Sequence, residues 1–192
     1  METKVLLTKR KIESFAAQYE IANPVLKKIF LQNLRNAQSE NNDVFISHSS
    51  KDNDFVENLL VFLRYAKGGI NGYVDWIDSD LPKKISYLTA ERLAERIHGA
   101  RKFIFVATSN SLKSVWCSWE LGYAERDKGV SGIAILIAKP NNGRWEDNEY
   151  LQQYPWIEYD SLNKQFQVQY PNGVIETLHD WLTKTTNNYG EK

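Results

Sequence analysis

Two short runs constrain the fold more than anything else in this chain. KFIFVA at 102–107 and IAILIA at 133–138 are apolar at nearly every position. A strand with one wet face alternates apolar and polar residues, so an unbroken run belongs to a strand covered on both faces. Strands of this kind sit in parallel sheets, and parallel neighbours need helical crossovers between them.

The rest of the chain supplies those crossovers. DVFISH (43–48) reads as a first strand. The next segment places Phe55, Leu59, Leu63 and Ala66 on one helical face, and GGING (68–72) ends it. GYVDWID (72–78) reads as a second strand. A helix follows, with Ile85, Leu88, Leu93 and Ile97 inward. RKFIFVAT (101–108) is the third strand, a helix starts near Ser114, and SGIAILIAK (131–139) is the fourth strand. WIEYD (156–160) reads as a short fifth strand and FQVQYPNG as an extended edge with a turn. VIETLHDWLTK (174–184) reads as a closing helix through Ile175, Leu178 and Leu182. Right-handed crossovers leave few arrangements. The expectation is an α/β fold: a flavodoxin-like, doubly wound, parallel five-stranded sheet of order 2-1-3-4-5, with an N-terminal helical extension.

Residues 1–40 form that extension. Ile12, Phe15, Ala16 and Tyr19 recur at helical spacing, and Asn23-Pro24 caps a second amphipathic helix. Its apolar stripes are expected to pack on the domain or to mediate self-association. AQSENN (37–42) is a polar boundary. The expected division is a helical extension over 1–40, a domain over 41–186 and a polar tail over 187–192.

Charge and cysteine content narrow the function. Lys plus Arg equals Asp plus Glu at 24 each, which argues against a nonspecific nucleic-acid or membrane binder. A single cysteine excludes an internal disulfide and a Cys-rich zinc site. No apolar run approaches the ~20 residues that cross a bilayer, and the N-terminus does not read as a signal peptide, so a cytoplasmic protein is expected. The GxGxxG, Walker A, GxSxG, HExxH and CxxC motifs are absent, and the three histidines are scattered. No metal site is expected. The Asp75, Asp78 and Asp80 series reads better as turn chemistry than as a cation loop.

In open parallel sheets, ligands bind beyond the carboxyl ends of the strands. Those ends are Ser47-His48-Ser49-Ser50, Asp78-Ser79-Asp80, Thr108-Ser109-Asn110 and Lys139-Pro140, all polar. The helix rising from this crevice contains SVWCSWELGYA (114–124). At ~100° per residue, Cys117, Leu121 and Ala124 form its core stripe. Cys117 is then a small buried hydrophobe. Glu120 lies at the stripe's edge, with Trp116 one turn earlier on the same flank. On periodicity alone Glu120 reads more readily as a solvated shoulder residue near a helix N-terminus. The other reading is an acid at a pocket rim beside an aromatic platform. Such an acid suits a sugar ring that develops positive charge.

DVFISHSSKD, VDWIDSDLP and GARKFIFVATSNSLKSVWCSWELGYA, in that order, resemble a TIR domain of the bacterial type, from about residue 42 to 160. YPWIEYD is similar to the tail of such domains. The resemblance implies the same five-stranded fold. It also implies cleavage of NAD⁺ between ribose and nicotinamide, giving ADP-ribose or a cyclic variant. The glutamate of the W-x-x-x-E motif falls on Glu120 as catalytic residue, and its tryptophan on Trp116. Phe45, Ser47 and His48 would line the nucleotide site, and the Asp78–Pro82 loop would gate it. NAD⁺ is then a substrate, bound without a Rossmann glycine turn, and no cofactor is implied. The resemblance further implies homo-oligomers through TIR surfaces. It extends to antiphage signalling of the Thoeris type, where the product activates a separate effector. Two alternatives stand beside it: a non-enzymatic TIR assembly module, and an enzyme like the nucleoside deoxyribosyltransferases.

Overall fold

A computed structural model describes residues 7–18, 25, 28–29, 44–63, 72–73, 87–139 and 148–184. Its elements in chain order are β1 (Leu7–Thr8), α1 (Lys9–Gln18), β2 (Val44–Ser47), α2 (Asn53–Leu63), β3 (Gly72–Tyr73), α3 (Tyr87–Gly99) and β4 (Lys102–Ala107). They continue with α4 (Val115–Lys128), β5 (Ile133–Lys139), β6 (Trp156–Asp160), β7 (Gln165–Gln169), β8 (Ile175–Thr177) and α5 (Leu178–Thr183).

The sheet runs β3-β2-β4-β5-β6-β7-β8, and β1 pairs separately with β5. From β3 to β6 every pairing is parallel. These five strands have the order 2-1-3-4-5 expected from the sequence. The unbroken apolar runs become β4 and β5, and β4 is buried at every position. The sheet lies between two cores. Ile46, Ile104, Val106, Ala134 and Leu136 face Ile12 of α1, Phe55, Leu59 and Leu63 of α2, and Leu178 and Trp181 of α5. Phe45, Phe103, Phe105, Ile133 and Ile135 face Leu93 and Ile97 of α3 and Cys117, Leu121 and Ala124 of α4. Two helix layers over one parallel sheet make the fold doubly wound.

The structure alters several local expectations. The closing helix was expected to begin at 174. Instead Ile175–Thr177 is a strand antiparallel to β7. Ile175 is exposed at 54%, and the helix starts only at Leu178, where the Thr177 hydroxyl accepts from Asp180 N at 3.0 Å. An edge pairing and a cap together outweigh the helical spacing. Leu88, expected inward, is exposed at 47% in the first turn of α3. The polar connection after β5 contains a 3-10 turn over Glu149–Gln153 that buries Leu151 and leads into buried Tyr154.

Among its described residues, the extension is not helical throughout. Leu7–Thr8 joins the sheet in parallel with Ala138 and Lys139, at the carboxyl end of β5. Thr8 then caps α1 by accepting from Lys11 N at 3.1 Å. Ile12 is fully buried in the core shared with α2. The second expected helix lies almost wholly outside the described residues, and so do Ile85, Ala66 and the Asp78–Pro82 loop.

Candidate functional site

The site follows from two periodicities that meet. Along β2 successive side chains alternate between faces. Val44 and Ile46 enter the core beneath α2, whereas Phe45 enters the core beneath α4 and stacks on Phe103 at 5.5 Å. The next residue on that second face is Ser47, at the strand's carboxyl end. On α4, Cys117, Leu121 and Ala124 are buried, as the 3.6-residue period requires. Glu120 stands beside that stripe and comes down onto Ser47. Ser47 Oγ donates to Glu120 Oε2 at 2.5 Å, with both residues buried.

Glu120 is therefore not a solvated shoulder residue. It is 4% exposed. The helix macrodipole does not account for it either, because that effect fades within the first turn and Glu120 lies in the second. Ser114 starts the helix in the expected way, accepting from Cys117 N at 3.3 Å.

The other expected residues sort themselves by burial. His48 is 6% exposed; its Nδ1 lies 3.2 Å from the Ile46 carbonyl oxygen, and its Nε2 lies 3.2 Å from Asn53 Oδ1. Phe45 is 1% exposed and belongs to the core floor beneath α4. Trp116 is half-buried against that core and meets Trp119 edge to face at 5.7 Å; Trp119 in turn stacks on Tyr123 at 5.6 Å. An aromatic row thus runs along α4 beside the carboxylate. Asp78 lies outside the described residues.

A second buried carboxylate, which the motif reading missed, braces the site. Asp52 follows β2 in a 3-10 turn capped by Ser49. Its Oδ2 accepts from Thr108 Oγ1 at 2.6 Å, and its Oδ1 accepts from Asn110 Nδ2 at 3.0 Å and from Lys9 Nζ at 2.8 Å. Burial alone would raise its pKa. The three hydrogen bonds and the Lys9 charge outweigh burial and hold the carboxyl below its ordinary value. Thr108 and Ser111 also exchange backbone bonds: Thr108 N donates to Ser111 Oγ at 2.8 Å, and Ser111 N donates to Thr108 Oγ1 at 3.0 Å. The loop into α4 is therefore fixed at both ends. The sequence held a signal for Asp52, an acid just past a strand's carboxyl end in a crevice already read as polar.

Chemically, the arrangement sets a buried carboxylate and a serine hydroxyl where ligands of parallel sheets bind. Such a carboxylate can hydrogen-bond a sugar diol or stabilise positive charge on a sugar ring. Among the described residues, no three His, Cys, Asp or Glu side chains converge to hold a metal ion. No described helix is long and apolar enough to cross a membrane.

Comparison with known proteins agrees with this layout. Residues 44–169 match the TIR domain family. The chain is 35% identical over 118 residues to a protein of Bacillus cereus (strain MSX-D12) named probable 3′ cyclic ADP-D-ribose synthase ThsB′, covering 60% of each chain. It is 38% identical over 122 residues to a protein of Cytobacillus dafuensis named putative cyclic ADP-D-ribose synthase TIR2, covering 62% of this chain and 31% of that one. The match therefore spans less than two thirds of either relative. Among solved structures, the TIR domain of the Toll-related receptor TRR-2 of Hydra magnipapillata aligns with a TM-score of 0.41 at 22% identity, over 54% of this chain and 76% of that one. The family match covers every strand from β2 to β7, together with both residues of the buried Ser47–Glu120 pair, and on that ground the chain belongs to the TIR domain family.

Proposed function

We propose that this chain cleaves NAD⁺ at the bond between nicotinamide and ribose, with Glu120 as catalytic residue. The observation that carries the reading is the buried Ser47–Glu120 pair at the carboxyl ends of the parallel strands. The names of the two bacterial relatives support the same substrate class. As the C1′–N bond breaks, its electron pair leaves with nicotinamide, and positive charge develops on the ribose ring. The Glu120 carboxylate stabilises that charge, and Ser47 fixes its orientation. Water adding at C1′ gives ADP-ribose and a proton. A nucleophile within the same nucleotide gives a cyclic product instead.

Trp116 supplies an aromatic face beside the carboxylate, His48 lines the crevice, Phe45 supports its floor, and Asp78 belongs to the loop that gates it. NAD⁺ is consumed as substrate and no further cofactor takes part. The chain works in the cytoplasm, assembles through its TIR surfaces, and signals to a separate effector in antiphage defence. One observation favours an assembly role in addition: α4 exposes Val115 at 83% and Trp119 at 36%.

The test is product analysis by chromatography and mass spectrometry after incubating concentrated protein with NAD⁺. Nicotinamide released in equal amount with ADP-ribose or a cyclic isomer supports the proposal. Intact NAD⁺ alongside base exchange on deoxynucleosides points instead to a deoxyribosyltransferase. Intact NAD⁺ with self-assembly alone points to an adaptor.

A further inference from the structure

The first turn of α1 breaks a local rule. It carries Lys9, Arg10 and Lys11 and no acid, although the positive end of a helix dipole disfavours cations. Such a conflict points to a tertiary reason, and the structure shows one. Lys9 Nζ reaches Asp52 Oδ1 at 2.8 Å and lies 5.0 Å from the Phe55 ring centroid. Lys11 Nζ donates to Ser161 Oγ at 3.0 Å and lies over Tyr159. The turn cannot drift, because β1 pairs with β5 just before it and Ile12 is fully buried just after it.

Asp52 is the point at which two connections meet. One leaves β2 after Ser47; the other, starting at Thr108, leads to the Ser114 cap of the helix that carries Glu120. Asp52 belongs to the first connection, and its carboxylate accepts from Thr108 and Asn110 of the second, so it ties the two together. Its side chain is 1% exposed, and Lys9 pairs with it as a cation. Lys9 lies outside the matched residues 44–169.

We infer that Lys9 and Asp52 form a positioning pair, through which the N-terminal segment sets the geometry between Ser47 and Glu120. Neither residue touches the reacting atoms. The consequence for turnover rests on the NAD⁺ reading above; the structural coupling does not.

The test compares full-length wild type with Lys9→Met, Lys9→Arg and the double variant Lys9→Met/Asp52→Asn. Two readouts are taken: amide hydrogen exchange, and kcat and KM for NAD⁺. Lys9→Met is expected to speed exchange at residues 108–114 by roughly tenfold or more, with β7 unchanged, and to lower kcat more than it raises KM. Lys9→Arg is expected to restore both. The double variant is expected to recover most of the protection, since an asparagine keeps an acceptor for the Thr108 hydroxyl and its amide group can donate to Asn110 once that side-chain amide turns over, with no charge to neutralise. Unchanged exchange at 108–114 in Lys9→Met overturns the inference. So does acceleration spread equally over β7 that Lys9→Arg fails to reverse, which makes Lys9 a general stabiliser. Selective loosening of 108–114 in Lys9→Met, together with a wild type that leaves NAD⁺ intact, upholds the coupling and rejects the NAD⁺ reading instead.

Discussion

Ser47 Oγ donates to Glu120 Oε2 across 73 residues of sequence, joining the end of β2 to the second turn of α4 in a buried contact of 2.5 Å. Removing the hydroxyl takes a donor from a buried carboxylate. Ser47→Ala is therefore expected to lower unfolding free energy by roughly 1–3 kcal/mol in urea titrations. NAD⁺ turnover should fall by about tenfold or more, since ~1.4 kcal/mol of lost orientation corresponds to a factor of ten. Full activity in a folded Ser47→Ala protein would show that the hydroxyl does not orient the acid.

Asp52 makes acid stability a second measurement. Its folded-state pKa lies below the ordinary carboxylate value, so near pH 3 the unfolded chain binds more protons than the native one. The stabilisation is complete above the unfolded pKa near 4 and is lost as pH falls through the lower folded value. Urea unfolding at pH 6 and pH 3 should show a larger loss for wild type than for Asp52→Asn. Equal losses would mean that the Lys9, Thr108 and Asn110 bonds do not hold the carboxylate ionised.

Lys102 gives a dependence of the same sign in an alkaline window. It is 3% exposed, lies 5.0 Å from the Trp181 ring centroid, and burial pushes its ammonium down to about 8, with Glu176 opposing the shift. Between about pH 8 and the unfolded value the unfolded chain holds the extra proton, so this residue's contribution to stability rises with pH across that window. Lys102→Met should stabilise the protein at pH 7 by roughly 1 kcal/mol, with the gain shrinking toward pH 10. A loss of stability at pH 7 would show that the contact with Trp181 outweighs desolvation.

Trp116 tests the aromatic row. Trp116→Ala removes a half-buried ring that meets Trp119 edge to face. It should raise KM for NAD⁺ more than it lowers kcat, while Trp116→Phe recovers most of the affinity. Equal losses of kcat and thermal stability in both variants would assign the ring to packing alone.

The sheet order was legible because KFIFVA and IAILIA leave little choice but a doubly covered parallel sheet, and the core face of α4 was legible from the spacing of Cys117, Leu121 and Ala124. Burial of Glu120 was not, because periodicity places a side chain on a helix flank without saying what lies across from it. Ser47 supplies that partner from 73 residues away. Ile175–Thr177 misled for a related reason: its spacing suits a helix, and only the partner β7 makes it a strand. Lys9 and Asp52, 43 residues apart, were equally invisible as a pair, although three cations opening a helix marked the place.

Glu120→Gln tests the catalytic role of Glu120 most directly, because glutamine keeps the size and an acceptor for Ser47 while removing the ionisable carboxyl. NAD⁺ consumption and nicotinamide release should be followed under one condition in which wild type turns over, with circular dichroism confirming the fold of both proteins. The account predicts a loss of roughly a thousandfold in turnover with the native fold retained. Cleavage of NAD⁺ by Glu120→Gln at the wild-type rate would contradict it.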